Sequence, residues 1–206
     1  MMHIQRSSAP EVFVNFMKRK KASCNWNDFV QNYHNIYQSV RNILEEDQMH
    51  LSGYTELPLK VDTHIDHFLK RDLFPEYTFD WLNYVVDDHN KDYGADYKDD
   101  HIKYRENNER LISPITENPQ DFITYQTSGE MIARGDICSE MQKRAELTIE
   151  SFNLNHKLLT KRRSELFSLI QSYHEGGLGK VEINNALQAQ GLTSFVEFCL
   201  NDLLAL

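Results

Sequence analysis

The clearest run of apolar and polar positions lies in residues 25–48, where Trp26, Val30, Tyr33, Tyr37, Val40 and Leu44 recur every three or four residues. That spacing places them on one stripe and predicts one long amphipathic helix with a core-facing side. A shorter helix is expected over 10–22, since Pro10 suits a first helical turn, after a strand or arm in residues 1–9. From 51 to 84 the period changes: Gly53, Pro58 and Pro75 interrupt helices, and VDTHIDHF (61–68) has the composition of a strand. Asp, Asn, Lys and Tyr dominate residues 85–110. DFITYQTSGEMIA (121–133) reads as a hairpin turning at Thr127, Ser128 and Gly129.

Beyond it, 140–173 is helical, as two helices meeting near Asn153 and Asn155, and Gly176, Gly177 and Gly179 end the region. Two short amphipathic helices are expected over 180–206. Their apolar stripe of Leu192, Phe195, Val196, Cys199, Leu203 and Leu206 fits the chain's own core, or a partner. These elements give an α+β class, mainly helical, with helices flanking a small β-containing insertion near 50–100.

Charge changes the picture in one respect. A net charge of −9 on 206 residues argues against a stand-alone nucleic-acid binder, which needs Lys and Arg for phosphates. Basic clusters at Lys18 to Lys21, at Lys70 and Arg71, and at Lys161 to Arg163 read as solvated surface, or as a weak phosphate-binding track. Cys24, Cys138 and Cys199 are scattered and odd in number, so no disulfide framework is expected. No apolar run nears the roughly 20 residues of a membrane span, and a cytoplasmic location is expected.

Chemistry concentrates in residues 62–101, which hold His64, His67, His89 and His101. Strand alternation turns His64 and Asp66 to one face, Ile65 and His67 to the other, at what is expected to be an exposed strand end. Three readings follow. Asp88, Asn90 and Asp92 alternate like the start of a calcium loop, but Gly94 comes one place late and Asp99 stands where Glu is needed. The run DDHNKDYGADYKDD is otherwise a solvated acidic loop. In the third reading Asp66 and Asn90 are oxygen ligands to a Mg²⁺-like ion and His67 is a general base.

HIDHF (64–68), WLNYVVDDHN (81–90), ITENPQDFITYQTSGEM (115–131) and RAELTIESFNLNHKLLTKRRSEL (144–166), in that order, resemble the HNH endonucleases that serve as nuclease subunits of Septu anti-phage systems and are also found with retrons. HIQRSSAP (3–10) and SGYTE (52–56) are similar to the same family's N-terminal layout. The resemblance covers residues 1–170 and leaves 175–206 outside.

It implies a ββα-metal (HNH) nuclease core over 51–110, preceded by a helical segment (1–50). A hairpin and helices (111–175) would complete the nuclease domain, with a helical extension at 176–206. It further implies Asp66 and Asn90 as ligands of Mg²⁺ or Mn²⁺, with His64 and His89 as lesser candidates. His67 would be the base that activates water, and Asn83 would hold the loop and orient the imidazole. The activity would be hydrolysis of DNA, or of RNA such as a tRNA, beside an ABC-type ATPase subunit and, in retrons, a reverse transcriptase with its RNA/DNA product. Relatives carry zinc-binding cysteines where this chain has Ser52, Thr55, Val86 and His89. Ser, Thr and Val supply no thiolates, so structural zinc is expected to be absent and hydrogen bonds or packing to hold that loop. Tyr93 replaces a lysine common in relatives. A catalytically degenerate HNH scaffold that only docks on the ATPase is the alternative.

Overall fold

A computed structural model describes residues 1–20 and 23–204. The fold is α+β, mostly helical, with two small antiparallel two-stranded sheets. Helix α1 (Glu11–Arg19) starts behind Pro10 and ends before the expected residue 22, since Lys20 is already extended (φ −60°, ψ 141°); residues 21 and 22, with Lys21 of the basic cluster, lie outside the described residues. The N-terminal arm forms no strand and is anchored by Ile4 N–H donating to Pro114 O at 2.7 Å.

The single helix expected over 25–48 is two: α2 (Trp26–Asn32) and α3 (His34–Asp47). Asn25 and Asp28 form a reciprocal capping box that starts α2. The break falls at Tyr33, whose backbone (φ −124°, ψ 38°) is not helical. It turns α2 so that Phe29, absent from the predicted stripe, is fully buried beside Trp26, while Tyr33 remains 42% exposed. Periodicity cannot register such a break, because the stripe continues on both sides of it.

Strands β1 (Thr63–His67) and β2 (Tyr84–Asp88) pair antiparallel, with Asp66 opposite Val85 and His67 opposite Tyr84. Both faces of this hairpin are covered. Ile65, Tyr84 and Val86 pack in an aromatic core with Phe13, Phe16, Trp26 and Phe29. Val85 and Phe68 pack in the larger core with Tyr54, Ala95, Ile102 and Phe152. Helix α4 (Ala95–His101) lies on that second side, so part of the run read as a solvated loop is helical. Gly94 permits the entry to α4: its φ is +81°, and a Cβ there would strike the Asp87 carboxylate.

Helix α5 (Arg105–Glu109) leads to the expected hairpin, β3 (Ile123–Tyr125) and β4 (Met131–Ala133). Helices α6 (Ser139–Ser151) and α7 (Lys157–Glu175) meet at the expected place, where Asn153 turns left-handed at φ +48°. Helices α8 (Lys180–Leu187) and α9 (Thr193–Phe198) close the chain. Leu192, Phe195, Val196 and Cys199 are buried in the chain's own core, and Leu203 is half exposed; Leu206 lies outside the described residues. Those four positions of the stripe therefore pack internally. Among the described residues, no helix is long and apolar enough to cross a membrane.

The loop around SGYTE is held by hydrogen bonds. Ser52 Oγ accepts from Thr55 N at 3.0 Å, and Gly53 N donates to Val86 O at 3.2 Å. Gln48, fully buried, completes the free edge of β2: its Nε2 donates to Val86 O and its Oε1 accepts from Val86 N, each at 2.8 Å. Gln48→Ala would leave Val86 N and Leu51 O, to which Gln48 Nε2 also donates at 2.8 Å, without a partner, while Val86 O keeps Gly53 N; each such orphan costs about 1–3 kcal/mol. Urea denaturation of the variant should therefore show a loss of about 3 kcal/mol; a loss under 1 kcal/mol would mean water replaces the amide.

Candidate active site

Asp66 and His67 emerge on opposite faces of β1, as strand alternation requires, but neither is exposed. Both are 4% accessible, so the expected open strand end is corrected. It is closed because a hairpin covered on both sides has no solvent face.

On the helix side, Asp66 meets Lys98 of α4. The Lys98 Nζ lies 3.0 Å from Asp66 Oδ1 and 2.7 Å from Oδ2, and donates to His67 O at 2.7 Å. Asp99 Oδ1, 3.2 Å from the same ammonium, adds charge without an aligned hydrogen bond. The Tyr54 hydroxyl donates to Asp66 Oδ2. Burial acts to raise the Asp66 pKa, but the Lys98 charge and these bonds outweigh it and hold the carboxyl below its usual value. Burial likewise opposes the Lys98 charge, and Asp66 and Asp99 together raise its pKa. Asp87, on the same side, accepts from Ala95 N at 2.8 Å, and burial pushes its carboxyl up to about 7.

On the other side His67 sits edge-on to Trp26 at 4.4 Å and to Tyr84 at 5.2 Å. Its Nε2–H donates to Thr78 O at 2.9 Å, which fixes the tautomer and leaves Nδ1 with its lone pair. Burial lowers its pKa to about 3, against the raising effect of the Thr78 carbonyl. The imidazole is neutral at physiological pH.

Asn83 is buried at the entry to β2. Its Nδ2 donates to Leu69 O (3.0 Å) and Tyr77 O (3.1 Å), and its Oδ1 accepts from Leu69 N (2.6 Å). It thus clips both ends of the long β1–β2 loop, and the residue after Tyr77 is the one whose carbonyl holds His67. The chain from Asn83 through Thr78 to His67 is a physical route for orienting the imidazole.

Asn90 is elsewhere. Its Oδ1 accepts from Asp92 N at 2.8 Å and its backbone N–H donates to Asp96 Oδ2 at 3.0 Å, so the side chain organises its own turn. With both Asp66 oxygens engaged by Lys98 and Tyr54, the Asp66–Asn90 pair does not fit a Mg²⁺ or Mn²⁺ ion in this arrangement. Bringing a dication to Asp66 would leave the fully buried Lys98 ammonium with only the unaligned Asp99 carboxylate, a cost of several kcal/mol. The lesser candidates, His64 and His89, do come together: their rings stack at 4.1 Å beside Asp96. His101 is turned away, its Nδ1–H donating to Tyr97 O at 2.8 Å.

The proposed phosphate track loses two of its members. Arg163 is buried, with a bond to Leu154 O, and Lys70 Nζ donates to Asp99 O at 2.5 Å.

Lys98, Tyr54, Thr78 and Asp96 were missed in the sequence. A signal for Lys98 existed: Ala95, Lys98 and Ile102, at spacings of three and four, are the buried face of α4, and a lysine between two apolar positions of such a stripe marks a buried cation. No model of a known protein family matches the chain, and no curated protein matches it.

Proposed function

We propose that this chain is an HNH-type phosphodiester hydrolase, the nuclease subunit of a Septu- or retron-type anti-phage complex. It would act on DNA or RNA beside an ABC-type ATPase, with its hydrolytic centre held shut in the chain alone. The observation that carries the reading is the clip from Asn83 to Tyr77 O and from the adjacent Thr78 O to His67. A neutral imidazole with one nitrogen pinned and the other free is what a general base for water needs. The order of the motifs adds to it: Asp66 and His67 end the first strand of a hairpin, Asn83 opens the second, and a short helix crosses the Asp66 face.

A divalent cation supplies charge neutralisation at phosphate in hydrolases of this kind. Since Asp66 and Asn90 do not fit one as they stand, the residues are given only their own tasks. His67 would accept the proton of the attacking water through Nδ1. Asn83 would keep the loop, and so the ring, in place. Lys98 would neutralise Asp66 until the site opens, and Trp26 would keep water from His67 in the meantime.

A second reading, a scaffold that docks on the ATPase without catalysis, is favoured by Lys98 itself, an internal ammonium at the carboxylate with no exposure to solvent. One experiment separates the two. The chain is mixed with its ATPase partner and Mg²⁺ and offered plasmid DNA and total RNA, wild type against His67→Gln, with folding checked by circular dichroism. Loss of a general base should lower cleavage by about 10²–10⁴-fold. Cleavage by the variant at the wild-type rate would remove His67 from the chemistry, and no cleavage of either substrate by the wild-type complex would establish the docking scaffold.

A further inference from the structure

His64, His89 and Asp96 form a cluster apart from the residues given tasks in the proposed hydrolysis, although His64 and His89 are lesser metal candidates on sequence. Among the described residues they are the one group of three His, Cys, Asp or Glu whose donor atoms all lie within 4.8 Å of one another. His89 Nδ1 is 3.2 Å from Asp96 Oδ2, and His64 Nε2 is 3.8 Å from Asp96 Oδ1. We propose that His64, His89 and Asp96 form a binding site for one divalent first-row transition ion, such as Zn²⁺, Mn²⁺ or Co²⁺, at the open end of the β1–β2 hairpin.

Three features fit. Two imidazoles and one carboxylate are a donor set for borderline transition ions rather than for Mg²⁺, which prefers oxygen. The three residues come from separate elements: His64 is the second residue of β1, His89 the residue after β2, and Asp96 lies in the first turn of α4. Asp96 is also oriented from behind, since Oδ2 accepts the Asn90 N–H at 3.0 Å, the kind of outer contact that holds ligating carboxylates. In addition, His64 Nδ1 is buried and has no hydrogen-bond partner, so neither ring nitrogen of His64 is committed to another group.

The rings now stand parallel, 7° between planes. One ion cannot lie in both planes at once, so one ring turns on binding. His89 is the one free to do so, being half exposed on the loop that leads to α4. The half-exposed His89 opens the cluster to solvent, so water or a phosphate oxygen could complete the coordination. This set shares only His89 with the positions where relatives carry zinc cysteines. It excludes Asp66, two residues further along β1, and so does not depend on the nuclease reading.

The test is titration of the full chain with Co²⁺, read by its visible d–d absorption, with Zn²⁺ and Mg²⁺ as competitors. One Co²⁺ per chain is expected, displaced by Zn²⁺ and not by Mg²⁺, with His64→Ala and Asp96→Asn each weakening binding at least about tenfold. The double variant Asp66→Asn/Lys98→Met, which removes the buried pair together, should bind as the wild type does. No cobalt band at stoichiometric concentrations, or a band that both single variants leave unchanged, overturns the proposal. Loss of the band in the double variant alone moves the ion to Asp66. None of these outcomes depends on cleavage activity.

Discussion

Replacing Lys98 with methionine should destabilise the chain by about 3–5 kcal/mol, the usual penalty for breaking a buried pair from one side. Methionine nearly fills the space, so little of this comes from a cavity. The cost arises at Asp66, which keeps the Tyr54 hydroxyl but loses the ammonium held at 2.7 Å. In a site with no solvent exposure the carboxylate then takes up a proton. Its pKa in the folded state rises above the unfolded value, so the variant binds more protons folded than unfolded and loses stability as pH rises. The deficit should therefore be smallest near pH 5, grow by up to about 1.4 kcal/mol per pH unit as far as the new pKa, and level off above it. Asp66→Asn added to Lys98→Met should recover most of the loss, because a neutral amide still accepts from Tyr54. Denaturant midpoints for wild type, single and double variants at pH 5 and 8 measure all three quantities. A Lys98→Met variant within 1 kcal/mol of wild type at pH 8 would show that the pair does not hold α4 to the hairpin.

The parts of this fold that the sequence carries openly are those set by one face and one partner. The β1 strand, the β3–β4 hairpin and the α6–α7 junction at Asn153 came from alternation, turn residues and a local break in period. The helix break at Tyr33 did not, because no proline or glycine marks it and the stripe reads through. The second strand, Tyr84–Asp88, was suggested only by the resemblance. Four of its five residues are buried, so it carries no alternation to read. The same property misled the site. His-Ile-Asp-His alternates as if half of it met water, whereas one face lies against Trp26 and Tyr84 and the other against Lys98. Adjacent Asp66 and His67 are thus kept apart by the sheet itself, one neutralised by charge and the other kept neutral by burial. Gln48 and Lys98, polar residues with no accessible surface, carry no hydropathy signal that tells them from surface residues. Only their place on a stripe does.

His67 should make the chain acid-sensitive, and the effect is separable from the rest by difference. The folded imidazole protonates only at about pH 3, because burial against Trp26 and Tyr84 leaves its charged form unhydrated. The unfolded one protonates near 6.5. Between these values the unfolded state binds more protons, so stability falls as pH falls, by up to about 1.4 kcal/mol per unit and about 5 kcal/mol in all. Asp87 works in the opposite sense. Its folded pKa, raised to about 7 by burial, lies above its unfolded value, so the folded state binds more protons from pH 7 down to about 4, where it adds stability. The wild type should therefore change little between pH 6.5 and 4 on account of these two groups, and fall steeply below. His67→Phe keeps an aromatic ring beside Trp26, and Thr78 O retains the Tyr84 hydroxyl at 2.9 Å. Without the imidazole only the Asp87 limb remains, so the variant should gain on the wild type by about 3 kcal/mol on going from pH 7 to 4. Urea midpoints at pH 7, 5.5 and 4 give that difference directly. If it stays constant across the three, His67 takes its proton near 6.5 in the folded chain, and the ring is open to water, as a working base would be, rather than sealed behind Trp26.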